Sequence, residues 1–336
     1  MSRLSYIFIV FISIVCNGLM AQNTPQDFGY RHFEIPYAEE IVDVLVYSKI
    51  GEEAFKKPLF IFCQGSLAIP LLAYNDSNIF HPTPFSRKLI QENYHLVVIG
   101  KPGIIVTAHL DSLSPSREYV SKGSGLPPTT YTAQNFLNFY VERNIKVIDF
   151  LLVKPWVDST CVVVAGHSEG SSIAAKMTAR SNKVTHLIYS GGTPYFSRIL
   201  SQISQDRKKE TSSKSMVEDN FSYWRRTIEE PYSTSRAHGW NSYKGTFQFS
   251  ENASQYLKRA RIPVLVSYGT KDTASPFNDL LRLESIYENL NNIDFNAYIG
   301  LEHNYFPINT DGSINYEEFG WNKVCKDWLA WIKKTK

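Results

Sequence analysis

The sequence predicts an α/β fold built on a mostly parallel sheet with helices on both faces. Three observations lead there. Short apolar runs recur along the chain, amphipathic helical stretches separate them, and one Gly-x-Ser-x-Gly turn sits between such a run and such a stretch. The runs at 96–99, 161–165, 185–189, 263–268 and 295–299 are rich in Val, Ile and Leu, as strands buried on both faces are. The spacing predicts helices over 85–92, 132–153, 171–180, 276–290 and 316–333, which supply the crossovers a parallel sheet requires.

In chain order, residues 1–21 read as a secretory leader. Arg3 gives the positive start, an apolar run over 4–15 is broken only by Ser5 and Ser13, and Ala21 offers a small cleavage residue before Gln22. The expected location is therefore secreted or periplasmic, with membrane contact only if the segment is kept as an anchor. Without the leader three cysteines remain, Cys63, Cys161 and Cys325. An odd, sparse set makes no disulfide framework, and no C-x-x-C or Cys/His spacing suggests a metal. All three are expected as buried, inert thiols.

Partial alternation at 31–36 and 41–48, then an apolar run at 59–63, predicts three antiparallel strands at the start of the mature chain. In the helix over 276–290, Ser275 is the expected N-cap and Pro276 lies in the first turn. Asp279 in that turn is read as structural. Two insertions break the alternation. Residues 101–131 are turn-rich, and loops of that length are usually functional or mobile. Residues 195–258 are expected to form two to four helices, with a solvated polar run at 205–214. Their aromatics (Phe221, Tyr223, Trp224, Tyr232, Trp240, Tyr243, Phe247, Phe249) form either a small packing core or a cap over substrate. The expected division is a core of 22–194 and 259–336 with a helical cap insertion at 195–258.

With 43% hydrophobic and 20% charged residues, a disordered chain is excluded. A net charge of +3 without a long basic run gives no nucleic-acid footprint.

The chemistry centres on Gly166-His167-Ser168-Glu169-Gly170. Between strand and helix, this turn pushes its central serine out above the sheet edge, and glycines on either side remove clashing Cβ atoms. Ser168 needs a base, itself held by a third group. His303, directly after the last strand, fits best. His167 adjoins the serine but points along the chain, His186 lies within a strand, and His32 and His95 lie at strand starts. Asp272, in the turn after another buried strand, is the expected orienting carboxylate, with Glu302 and Asp294 as alternatives. For the oxyanion, the backbone N–H of Glu169 is one expected donor. The other comes from the turn Gln64-Gly65-Ser66-Leu67, from Ser66 in preference to Leu67. The Glu169 side chain is expected to face solvent or cap its helix. Leu67, His109, Trp224 and Trp240 are candidate substrate contacts.

Together the opening strands, Gln64-Gly65-Ser66, the elbow at Ser168, Asp272 and His303 resemble the α/β-hydrolase superfamily over most of the mature chain. The Gly-His-Ser-Glu-Gly form resembles the branch of dienelactone-hydrolase-like esterases and serine peptidase-like hydrolases. The resemblance implies an eight-stranded sheet, a helical cap after the sixth strand and no cofactor or metal. Gln64 departs from it, since many relatives carry His there. The implied activity is hydrolysis of a small-molecule carboxylic ester or related acyl bond through an acyl-serine. A peptidase or amidase on the same triad, or a silent binding protein using the aromatic insertion, are the alternatives.

Overall fold

The computed structural model describes residues 23–211, 216–239 and 241–335. The leader expected at 1–21 and Trp240 lie outside the described residues. No described helix is long and apolar enough to cross a membrane.

One sheet of eight strands organises the chain. Its strands are β1 (Tyr30–Tyr37), β2 (Glu40–Tyr47), β3 (Lys57–Cys63), β4 (His95–Ile99), β5 (Val157–His167), β6 (His186–Ser190), β7 (Val264–Gly269) and β8 (Ile293–Tyr298). Their spatial order is β1-β2-β4-β3-β5-β6-β7-β8. Only β2 runs antiparallel to its neighbours; every other pairing is parallel. The expectation of three opening antiparallel strands is therefore corrected. The third, β3, lies between β4 and β5 with Phe60 opposite Val163 and Leu96. Its continuous apolar run reflects burial on both faces in the parallel part of the sheet.

Strand side chains alternate between two helical layers. Leu59, Ile61, Val162 and Val164 pack toward α3 (Leu137–Leu152), α4 (Glu169–Arg180), α8 (Ala253–Arg259) and α9 (Ser275–Tyr287). Phe60, Phe62, Val163 and Ala165 pack toward α1 (Arg87–Gln91) and α10 (Trp321–Lys334). Trp328 of α10 is fully buried and donates its indole N–H to Ser267 Oγ at 3.1 Å. Cys63, Cys161 and Cys325 are buried and form no disulfide with one another.

Several boundaries differ from expectation. The helix expected over 132–153 is two: α2 (Thr129–Gln134) and α3, separated by Asn135 and Phe136 in non-helical conformation. The buried Asn135 carboxamide accepts from Tyr140 Oη at 3.1 Å, and such local bonding competes with the helix. Helix α10 begins at Trp321 rather than 316, and its N-cap Gly320 passes so near the Tyr305 carbonyl that a Cβ would lie 2.3 Å from it. Ser275, expected as a cap, is the first residue of α9. The 101–131 stretch carries a strand, Thr107–His109, that joins Leu72–Tyr74 and Ile79–Phe80 in a small side sheet. Between β6 and β7 the chain inserts α5 (Ser197–Arg207), α6 (Val217–Glu229), α7 (Tyr243–Phe249) and α8.

Candidate active site

The elbow joining β5 to α4 is forced. Ser168 holds φ 56° and ψ −125°, a strained backbone for a residue with a Cβ. A Cβ on Gly166 would lie 2.0 Å from the Gly170 carbonyl oxygen, and one on Gly170 would lie 2.1 Å from that of Cys63. Only glycine permits this approach of helix to strand. Ser168 N–H donates to the Ser190 carbonyl at 2.9 Å, and Ser171 Oγ donates to the Ser168 carbonyl at 2.6 Å. The serine is thus fixed at the carboxyl edge of the sheet.

At the same edge, the turns after β7 and β8 bring Asp272 and His303 together, with Asp272 Oδ2 2.7 Å from His303 Nδ1. The other Asp272 oxygen accepts from Ala274 N–H at 3.0 Å. Burial opposes charge on Asp272, but the imidazole and these hydrogen bonds outweigh it and hold the carboxyl below its ordinary range. Burial likewise opposes charge on His303, and Asp272, with help from Glu302, holds it above the ordinary histidine value. The His303 side chain is 37% exposed, and that exposure opens into the cavity it shares with Ser168. No hydrogen bond joins Ser168 Oγ to His303 among the described residues; in unliganded sites such contacts are often long and tighten with substrate.

The alternative carboxylates are occupied elsewhere. Glu302 accepts from the N–H groups of Asn304 and Phe306 and so shapes the His303 loop. Asp294 accepts from the Trp331 indole at 2.7 Å. Asp279 lies beyond the first turn of α9, contrary to the expected place at the helix dipole, and instead accepts from Tyr268 Oη. His167 packs with its ring 4.9 Å from that of His303. Burial, then the nearby His303, pushes it down to about 3, so it stays neutral.

Two supporting residues escaped the sequence reading. The buried Lys101 ammonium donates to the Gly65 carbonyl, and Tyr131 Oη donates to the Ser66 carbonyl at 2.7 Å. In a trans peptide the N–H points opposite its carbonyl. Pulling these two carbonyls toward Lys101 and Tyr131 therefore turns the N–H groups of Ser66 and Leu67 the other way. Burial pushes Lys101 down to about 8, with Glu169 opposing. Their sequence distance from Gly65 and Ser66 hid both contacts.

Glu169 neither faces solvent nor caps its helix, as expected of it; its carboxylate pairs with Arg198 of α5, both largely buried. That ion pair ties the inserted helices to the residue after the elbow serine. Ser66, Glu169, Asp272 and His303 line a 440 Å³ cavity with Ser168, and Leu67 borders a second, larger one. His109 and Trp224 border neither. His109 meets Tyr74 edge-on at 5.5 Å and accepts from Asp111 N–H, while Trp224 meets Phe196 at 6.3 Å. Both serve local packing, the commoner fate of aromatics in an insertion. The one trio of metal-ligand type among the described residues, His32, Glu34 and Asp43, lies on β1 and β2. Its His32 and Asp43 already hydrogen-bond each other at 2.8 Å.

No protein-family model matches the sequence, and no curated protein matches it. Solved structures do. Pyrococcus horikoshii acylaminoacyl peptidase superposes with a TM-score of 0.55 at 12% identity, over 91% of this chain and 41% of that one. Est1E from Butyrivibrio proteoclasticus superposes with a TM-score of 0.53 at 12% identity, over 90% of this chain and 98% of that one. The fold is that of the α/β-hydrolases. A putative dipeptidyl aminopeptidase IV from Bacteroides ovatus gives a TM-score of 0.55 at 12% identity, over 91% of this chain and 36% of that one. The chain thus spans well under half of the two peptidases and nearly all of Est1E. At such identities the likeness speaks for the α/β-hydrolase fold alone, whose eight-stranded sheet agrees with expectation.

Proposed function

We propose that this α/β-hydrolase-fold protein is a serine hydrolase that cleaves a carboxylic ester through an acyl-serine intermediate. The observation that carries the reading is the forced elbow at Ser168, with the His303–Asp272 pair on the wall of the same cavity. In this reading Asp272 fixes the imidazole tautomer, His303 takes the proton from Ser168 Oγ, and Oγ attacks the acyl carbon. The N–H groups of Glu169 and Ser66 stabilise the oxyanion. His303 then protonates the leaving alkoxide. Water, activated by the same imidazole, releases the acid and restores Ser168.

No metal or cofactor has a step here. Residues 195–258 act as a cap on a core of 22–194 and 259–336, with Arg198 as the tie. The leader directs the protein out of the cytoplasm, to the periplasm or beyond. A fluorophosphonate probe should label the purified protein at Ser168. Ser168→Ala should abolish labelling and lower p-nitrophenyl acetate turnover on the order of 10⁴–10⁶-fold. Turnover by Ser168→Ala at the unmodified rate would overturn the proposal. Short peptide amides assayed in parallel separate an esterase from a peptidase, and a protein that only binds acyl compounds would not label.

A further inference from the structure

Two cavities meet at Ser168 and His303, and both side chains line each of them. The smaller, 440 Å³, reaches under α5 and is walled by Thr193, Ser197, Ser201, Gln202 and Asn241. These present hydroxyl and carboxamide groups beside the charged Arg198 and Lys271, and among the described lining residues Phe249 is the only Phe, Tyr or Trp. The polar groups are held in place by bonds of their own. Gln202 Nε2 donates to Asp206 at 2.8 Å, Thr193 and Ser201 share a hydrogen bond of 2.7 Å, and Asn241 Oδ1 accepts from Arg198 at 3.1 Å. The larger, 1010 Å³, runs outward past Leu67, Ile79, Phe80, Phe306, Phe319 and Trp321, with Arg87, Lys88 and Arg117 also on its wall. Leu67, Ile79 and Phe319 are 44%, 42% and 49% exposed, so apolar surface stands in water along one continuous path to the serine.

A buried hydroxyl is costly unless a partner awaits it, whereas apolar surface gains simply by leaving water. We infer that the substrate is a two-sided ester: a hydroxyl-rich part, a sugar or comparable polyol, fills the polar chamber, and an aryl or alkyl part lies in the groove. The inference rests on the serine-hydrolase reading and deepens it. The reaction balances as ester plus water giving acid plus alcohol. Oγ bonds to the acyl carbon as the C–O bond to the alcohol breaks, and the Ser168 proton passes through His303 to the leaving oxygen. Both chambers lie within the 300–1,000 Å³ scale of small-molecule sites or at its upper edge.

The test compares kcat/KM for ethyl 3-phenylpropionate, glucose 6-acetate, glucose 6-(3-phenylpropionate) and the reverse ester, 2-phenylethyl gluconate. One of the two-sided esters should exceed both one-sided ones by about tenfold or more, the scale on which pocket contacts discriminate. Phe80→Ala should erase the advantage conferred by the phenyl group, and Gln202→Leu that conferred by the sugar. Fluorophosphonate labelling of each variant checks that it has folded with its serine intact. If neither two-sided ester is preferred while p-nitrophenyl acetate is cleaved and the fluorophosphonate labels, this inference fails and the hydrolase reading stands. Inertness toward both the ester and the probe overturns the hydrolase reading and this inference with it.

Discussion

At the scale of single residues, Lys101 and Tyr131 show how a backbone donor is aimed from behind. Their bonds to the Gly65 and Ser66 carbonyls orient N–H groups that a side-chain inventory would never name. Lys101→Met and Tyr131→Phe should each lower kcat, by up to roughly 10²-fold, the scale of losing one oxyanion donor. KM should hardly move, because those bonds tighten only in the transition state; a pure rise in KM would refute the assignment. His303 supplies a second measurement. Asp272 holds it above the ordinary value of 6.5, and only the neutral imidazole is a base. The acid limb of kcat/KM should therefore lie above pH 6.5. Asp272→Asn should move that limb down and cut kcat by about 10⁴-fold, as loss of the correct tautomer does elsewhere. Ser168, Asp272 and His303 were legible because each follows a recognisable buried strand. Lys101, Tyr131 and Arg198 were not, since each acts on a partner at least 29 residues away.

Among elements, the register of β3 against α4 decides whether the elbow exists. Gly170 sits so near the Cys63 carbonyl that a Cβ would overlap it, at 2.1 Å. Gly170→Ala should force helix from strand, costing more than the ~1–3 kcal/mol typical of overpacking. Gly312 makes a control: at φ 85° with open space around it, Gly312→Ala should cost only ~1–2 kcal/mol of backbone strain. Denaturant midpoints of the two variants test the contrast, and equal midpoints would argue against it. The strands themselves were readable because burial on both faces leaves unbroken apolar runs. Pairing direction was not: β3 has the same run whether its neighbours are parallel or antiparallel. Nor does helical periodicity record a break like that at Asn135, which depends on a hydrogen bond from Tyr140.

For the molecule as a whole, buried histidines set the response to acid. Burial pushes His167 down to about 3 and His81 to about 4, with His303 and Arg87 adding to the effect in turn. An unfolded chain takes up these protons below about pH 6.5, while the native one refuses them, so stability falls as pH drops through that window. Asp272, lowered in the native state, adds to the loss at still lower pH. His303 works oppositely: raised in the native state, it contributes stability that is complete below 6.5 and lost as pH rises through its native value. The urea midpoint should accordingly be lower at pH 4.5 than at pH 6.5, and a flat profile between them would contradict neutral His167 and His81. Three thiols are sealed in the same interior, with burial pushing Cys63 and Cys325 up to about 12. Among the described residues, an oxidising milieu therefore meets no ready thiol on the intact surface. Scrambled crosslinks between copies would have to wait for the chain to open, and sulfur chemistry would become a clock for unfolding.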